Sequence, residues 1–170
     1  MKSAILAALL LAAPALGLAK TTLITPPAPT QAVRWLLTDD TPEITGGVGL
    51  TARLPAGGGD TVVGEVGCVR PTGFYLGADG FKPRPGVAAL TLRLDGGRFD
   101  LPLLPHQSGP RVEAFGPTPA GLLDALQATH TVQLAYGDQA SPLLAAPDPL
   151  VTDAFLAVCR KIEGDHGQGG

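Results

Sequence analysis

The sequence predicts a mainly β domain. It reads as a small antiparallel β-sandwich or partly closed barrel with two short helices, the C-terminal one packed on the sheet. Three observations carry this. Short extended runs with period-two alternation recur along the chain. Gly 23 and Pro 17 among 170 residues punctuate those runs with turn chemistry. Two segments carry helical apolar spacing, and each comes after a polar residue and a proline, which is a helix-start signal. Seven or so short strands bounded in this way fit a sandwich better than alternating strand–helix units.

Residues 1–19 are expected to be a secretory signal. Lys2 gives the positive start, Ala4 to Leu11 is unbroken apolar chain, and Gly17 and Ala19 are the small residues before a cut at Lys20. Ala13 and Ala15 offer an alternative cut before Leu16. The apolar stretch is short of the roughly 20 residues that span a bilayer. The remaining chain of about 150 residues is one domain's worth.

Residues 20–32 hold Pro26, Pro27 and Pro29 among threonines and alanines, so an extended leader is expected. The single β-rich domain is expected over 33–162. Val33, Trp35 and Leu37 share a face of the first strand. Val48 to Leu54 reads as the second, ending in a Gly57-Gly58-Gly59 loop. Thr61 to Val69 reads as the third, where Gly64 and Gly67 mark a bulge or a close backbone approach. In the clearest hairpin, Leu90, Leu92 and Leu94 alternate into the turn Asp95-Gly96-Gly97, and Phe99, Leu101 and Leu103 alternate out of it. Arg111 to Phe115 and His130 to Tyr136 add two more strands.

Thr118-Pro119 is expected to cap and open a helix over Ala120 to Ala128, with Leu122, Leu123 and Leu126 as its stripe. Asp148-Pro149 repeats the device before Leu150 to Ile162. There Val151, Ala154, Phe155, Val158 and Ile162 predict the buried face, with Cys159 beside it. Residues 163–170 are Gly-rich and polar, which predicts a disordered tail.

Charge and cysteine content narrow the function. The net charge of −3 has the wrong sign for a phosphate-contacting protein, so no nucleic-acid partner is expected. No stable membrane insertion is expected after signal removal. Cys68 and Cys159 are the two cysteines, and an oxidising compartment would pair them across a loop of about 90 residues. They lack Cys-x-x-Cys spacing and histidines at ligand spacing, so a redox or zinc role is disfavoured.

Motifs for chemistry are sparse. Gly57-Gly58-Gly59 lacks the Gly-Lys-Ser/Thr of a phosphate loop. Asp39, Asp40 and Glu43 read as a solvated turn rather than a calcium loop. His106, His130 and His166 show no metal spacing, and neither cofactor nor metal is expected. His106 and Ser108 lie close in sequence, so an envelope hydrolase using His106 and a carboxylate is one alternative. Glu65 and Glu113 sit in alternating strands, where the solvent face is the default. Phe74, Tyr75 and Phe81 lie among glycines. If exposed, they form a partner surface suited to an inhibitor or immunity-like protein docking an extracellular enzyme. As a strand, the same run turns Phe74 and Leu76 inward and Tyr75 outward. The leading expectation is a non-catalytic secreted or periplasmic binding or structural module with one disulfide.

Overall fold

Alternation decides which face each of the longer strands turns inward. The computed structural model describes residues 33–39, 46–57, 59–70, 73–105, 107 and 110–164. Chain order is β1 (Arg34–Asp39), β2 (Val48–Ala56), β3 (Gly59–Val69), β4 (Gly73–Asp79), β5 (Ala89–Leu94), β6 (Gly97–Pro102) and β7 (Arg111–Gly116). Next come α1 (Leu122–Ala128), β8 (Thr131–Tyr136), β9 (Gln139–Ala140), β10 (Leu144–Ala145) and α2 (Pro149–Gly164). The signal region 1–19, the leader 20–32 and residues 165–170 lie outside the described residues. Among those described, no helix is long and apolar enough to cross a membrane.

The strands form two antiparallel sheets. The first runs β1-β2-β3-β4-β7 and the second β10-β8-β5-β6, with β9 paired to β8. Neither sheet closes into a barrel, so the sandwich half of the expectation holds. Each edge of one sheet meets an edge of the other. On one rim Leu103 bridges Ala114, and Leu104 N–H donates to Glu113 O at 2.9 Å. On the other, Trp35 Nε1 donates to Ala145 O at 2.8 Å.

The core lies between the sheets. Val48, Leu50, Phe74, Leu76, Leu90, Leu92 and Leu101 are fully buried. They are the inward positions of β2, β4, β5 and β6, as period-two alternation requires. The β2–β3 pairing slips beside Ala52 and Arg53, so Val63 is the extra residue of a bulge. Gly64 next to it is also a close approach: a Cβ there would stand 2.2 Å from Leu134 Cδ1.

The two helices start differently. Thr118 does not cap α1. Leu122 N–H closes a turn onto Pro119 O, and Gly121 at φ +76° is the residue that opens the helix without a side-chain cap. Pro119 therefore shapes a turn, not a first helical turn. For α2 the expected device operates: Asp148 Oδ1 accepts Leu150 N–H at 2.9 Å and Pro149 opens the helix. The helix runs to Gly164, two residues beyond the expected end.

The buried face of α2 differs from the expected one. It consists of Thr152, Phe155, Leu156, Cys159 and Ile162, while Ala154 and Val158 face outward. The cause is the disulfide. Cys68 and Cys159 are bonded, with Cα atoms 5.4 Å apart, and Cys68 lies on the core face of β3. The helix must turn Cys159 to the sheet, and that rotation carries Leu156 in and Val158 out.

Candidate functional site

The first sheet turns its core face to the second sheet and leaves an outer face. Register sets what stands there. Glu65 on β3 lies opposite Gly77 on β4, and Gly77 lies opposite Glu113 on β7. Asp79 faces Arg111, and Tyr75 faces Phe115. Gly77 is a gap in this array. A Cβ there would come within 2.5 Å of Arg111 Nη2 and 2.8 Å of the Tyr75 hydroxyl. The missing side chain leaves room for the guanidinium over the strand.

Arg111 gathers the cluster. Its Nη2 reaches Glu65 Oε2 at 2.6 Å, its Nη1 reaches Asp79 Oδ2 at 3.1 Å, and its Nε stands 3.3 Å from Glu113 Oε1. Nη2 also donates to the Tyr75 oxygen at 3.0 Å, and that hydroxyl donates to Glu113 Oε1 at 2.6 Å. The guanidinium carbon sits 5.9 Å from the Tyr75 ring centroid. Planar fork geometry suits arginine to this shared role.

Burial and partners fix the protonation states. Burial pushes the Tyr75 hydroxyl well above its ordinary value, the bond to Glu113 adds to this, and Arg111 opposes it. Burial works to lower the Arg111 value, but Tyr75, Asp79 and Glu65 outweigh it and hold the guanidinium charged. At neutral pH the phenol stays a donor and the arginine stays a cation. The pair is suited to holding groups in place rather than to exchanging protons.

Beside the cluster lies a recess of about 270 Å³ lined by Val69, Tyr75, Leu104, Glu113 and Phe115. Phe115 is one of its walls and is 38% exposed. Its ring lies across Gly73, where a Cβ would come within 2.3 Å of ring carbons. Gln107 braces the rim. Its Nε2 donates to Leu104 O and Glu113 O, each at 2.8 Å, and its Oε1 accepts Glu113 N–H at 2.7 Å. That side chain satisfies the free edge of β7 much as another strand would.

Phe74, Tyr75 and Phe81, which would form a partner surface if exposed, are buried. Their exposures are 0%, 2% and 6%. Phe74 lies in the core, as its alternation with Tyr75 implies. Phe81 stacks on Tyr136 with ring centroids 6.4 Å apart. Tyr75 faces outward as the strand reading has it, but the charged cluster covers it. The exposed part of this region is Lys82–Gly86 instead.

Glu65 and Glu113 occupy the outer face, yet Glu65 is buried at 5% exposure because Arg111 draws it down. His106, Ser108, Asp40, Glu43 and His166 lie outside the described residues. Ser141 is buried, its hydroxyl accepting Leu134 N–H at 3.0 Å and donating to Pro142 O at 2.9 Å. Among the described residues, no group of three His, Cys, Asp or Glu is placed to hold a metal ion.

Arg111 is the residue the sequence did not single out. Its signal was present in the alternation Arg111-x-Glu113-x-Phe115, which puts all three on the face opposite Val112 and Ala114. Comparison of the chain with protein-family models, with curated proteins and with solved structures returns no match.

Proposed function

We propose that this chain is an exported, non-catalytic binding module whose ligand site is the recess on the outer face of the first sheet. The observation that carries the reading is the recess itself. It joins a half-exposed aromatic wall, Phe115, to a fixed carboxylate, Glu113, on a braced sheet edge. Apolar walls with few polar groups are the usual make-up of small-ligand sites. The charged cluster beneath supports this by fixing Glu113 and Tyr75 before any ligand arrives. Export to the periplasm or the exterior is supported by the signal-like residues 1–19 and by the disulfide, a bond that persists in oxidising compartments.

Two measurements test the proposal. Intact mass of the natively isolated protein should show an N-terminus at Lys20 or Leu16 and no thiol reactive after denaturation. Two reactive thiols would defeat the export reading. A fragment screen by amide NMR on the same protein should cluster its shifts at Val69, Leu104, Glu113 and Phe115. Shifts concentrated elsewhere would defeat the binding reading.

A further inference from the structure

The polar end of the recess selects its occupant. Glu113 presents a carboxylate to a space otherwise walled by Val69, Leu104, Phe115 and the ring of Tyr75. Its Oε1 already accepts the Tyr75 hydroxyl and lies near Arg111. Its Oε2 takes no hydrogen bond among the described residues. Arg111 is shared with Glu65 and Asp79, and its contact with Glu113 is the longest of the three, 3.3 Å against 2.6 Å and 3.1 Å. Among the described residues, Glu113 is therefore the carboxylate of this face with an oxygen that takes no hydrogen bond, beside apolar walls.

We infer that the recess takes a small organic amine, an apolar body ending in one ammonium group. This rests on the recess being the binding site. The ammonium donates to Glu113 Oε2 in a charge-assisted hydrogen bond, the stronger kind. The apolar body lies against Phe115, Val69 and Leu104 and leaves water. Phe115 also offers a ring face to the cation, since the Tyr75 ring is already engaged by Arg111. An anionic ligand of the same shape meets Glu113 as a like charge, and a neutral one gains only the apolar contact. At about 270 Å³ the recess lies just below the roughly 300–1,000 Å³ of drug-sized sites, which suits one ring and a short chain.

A matched set of probes tests this on the disulfide-bonded protein: 3-phenylpropylammonium, 3-phenyl-1-propanol and 3-phenylpropanoate, titrated by amide NMR. The ammonium is expected to bind at least about tenfold more tightly than the alcohol, a difference of about 1.4 kcal/mol. The propanoate is expected to bind more weakly than both. Glu113→Gln keeps an acceptor for the Tyr75 hydroxyl and should bring ammonium and alcohol to within about twofold. Should that variant fail to fold, the Glu113 carboxyl carbon resonance of the unaltered protein gives the same contrast, shifting with the ammonium and holding still with the alcohol. Equal binding of ammonium and alcohol, a preference that survives Glu113→Gln, or a carboxyl resonance that the ammonium leaves unmoved, overturns the amine and leaves the recess as a binding site. If none of the three probes moves the amides of Val69, Leu104 or Phe115, the binding-module reading falls as well.

Discussion

Arg111 is the residue on which the outer face of the first sheet turns. One guanidinium meets three carboxylates and a phenol, and Gly77 on the neighbouring strand leaves the space. Removing Arg111 takes from Glu65, a carboxylate at 5% exposure, a guanidinium contact of 2.6 Å. Arg111→Met is therefore expected to cost about 3–5 kcal/mol in urea unfolding, because breaking one side of a buried pair strands the other. A loss below about 1 kcal/mol would show that the cluster is more hydrated than its geometry implies.

Asp95 in the β5–β6 turn is held by neighbours on the β8 side. The Thr131 hydroxyl holds its carboxyl below the usual range, burial opposes this, and the backbone N–H and ring of His130 add to the lowering. A carboxyl lowered in the folded state contributes stability above its unfolded value of about 3.9. That contribution drains away as pH falls through this value toward the folded one. Thr131→Val should cost about 1 kcal/mol near neutral pH, and the difference should fade in acid, well below that unfolded value. Equal differences at the two pH values would mean that the charge on Asp95 is not what the hydroxyl stabilises. Residue placement was legible where one strand decides it: alternation alone put Tyr75 opposite Phe74. Its partners were not, since Glu65, Arg111 and Glu113 come from two other strands whose register the sequence does not carry.

At the scale of elements, α2 separates pattern from packing. Its apolar residues nearly encircle the helix: Leu150, Val151, Ala154, Phe155, Leu156, Val158 and Ile162. Periodicity alone admits two stripes on such a helix, and the stripe through Ala154 and Val158 competes with the one through Leu156 and Cys159. The covalent link to β3 decides between them. Leu156→Ala is expected to cost about 2–5 kcal/mol, as a filled core position does. Val158→Ala, at 38% exposure, should stay within about 0.5 kcal/mol. Denaturant melts of the two variants check this, and a reversed order would return the helix to the face its periodicity first suggests. The strands were more legible than the helices because alternation has one inward solution per strand. β9 and β10 escaped for the opposite reason: two residues each carry no period. Pro119 misled for a third, since its carbonyl closes a turn that delays α1 until Leu122.

For the whole molecule, the disulfide is the longest-range covalent constraint, linking residues 91 apart in sequence. Both cysteines are buried, Cys68 at 2% and Cys159 at 0% exposure, so reductant reaches them only when α2 lifts. The double variant Cys68→Ala/Cys159→Ala is expected to lose roughly 2–5 kcal/mol. Unfolding by urea, compared with the oxidised protein, measures it. A change under about 1 kcal/mol would mean that core packing alone seats α2. The sandwich class and the pairing of the cysteines could be read from the chain, because turn spacing and an even cysteine count are local facts. The way the sheets meet could not, because it depends on edges that are far apart in sequence.

Those two rims are fastened unequally. Where the chain leaves β6 it is fastened to β7 main chain on main chain, by the Leu103–Ala114 bridge and the Leu104 N–H on Glu113 O. Between β1 and β10, among the described residues, the hydrogen bond is one indole N–H, that of Trp35, on one carbonyl. One rim is sewn and the other is buttoned. Prised apart, the protein should gape at the button. The chain has one tryptophan, and it is that button, so its emission is a native gauge of every half-open state.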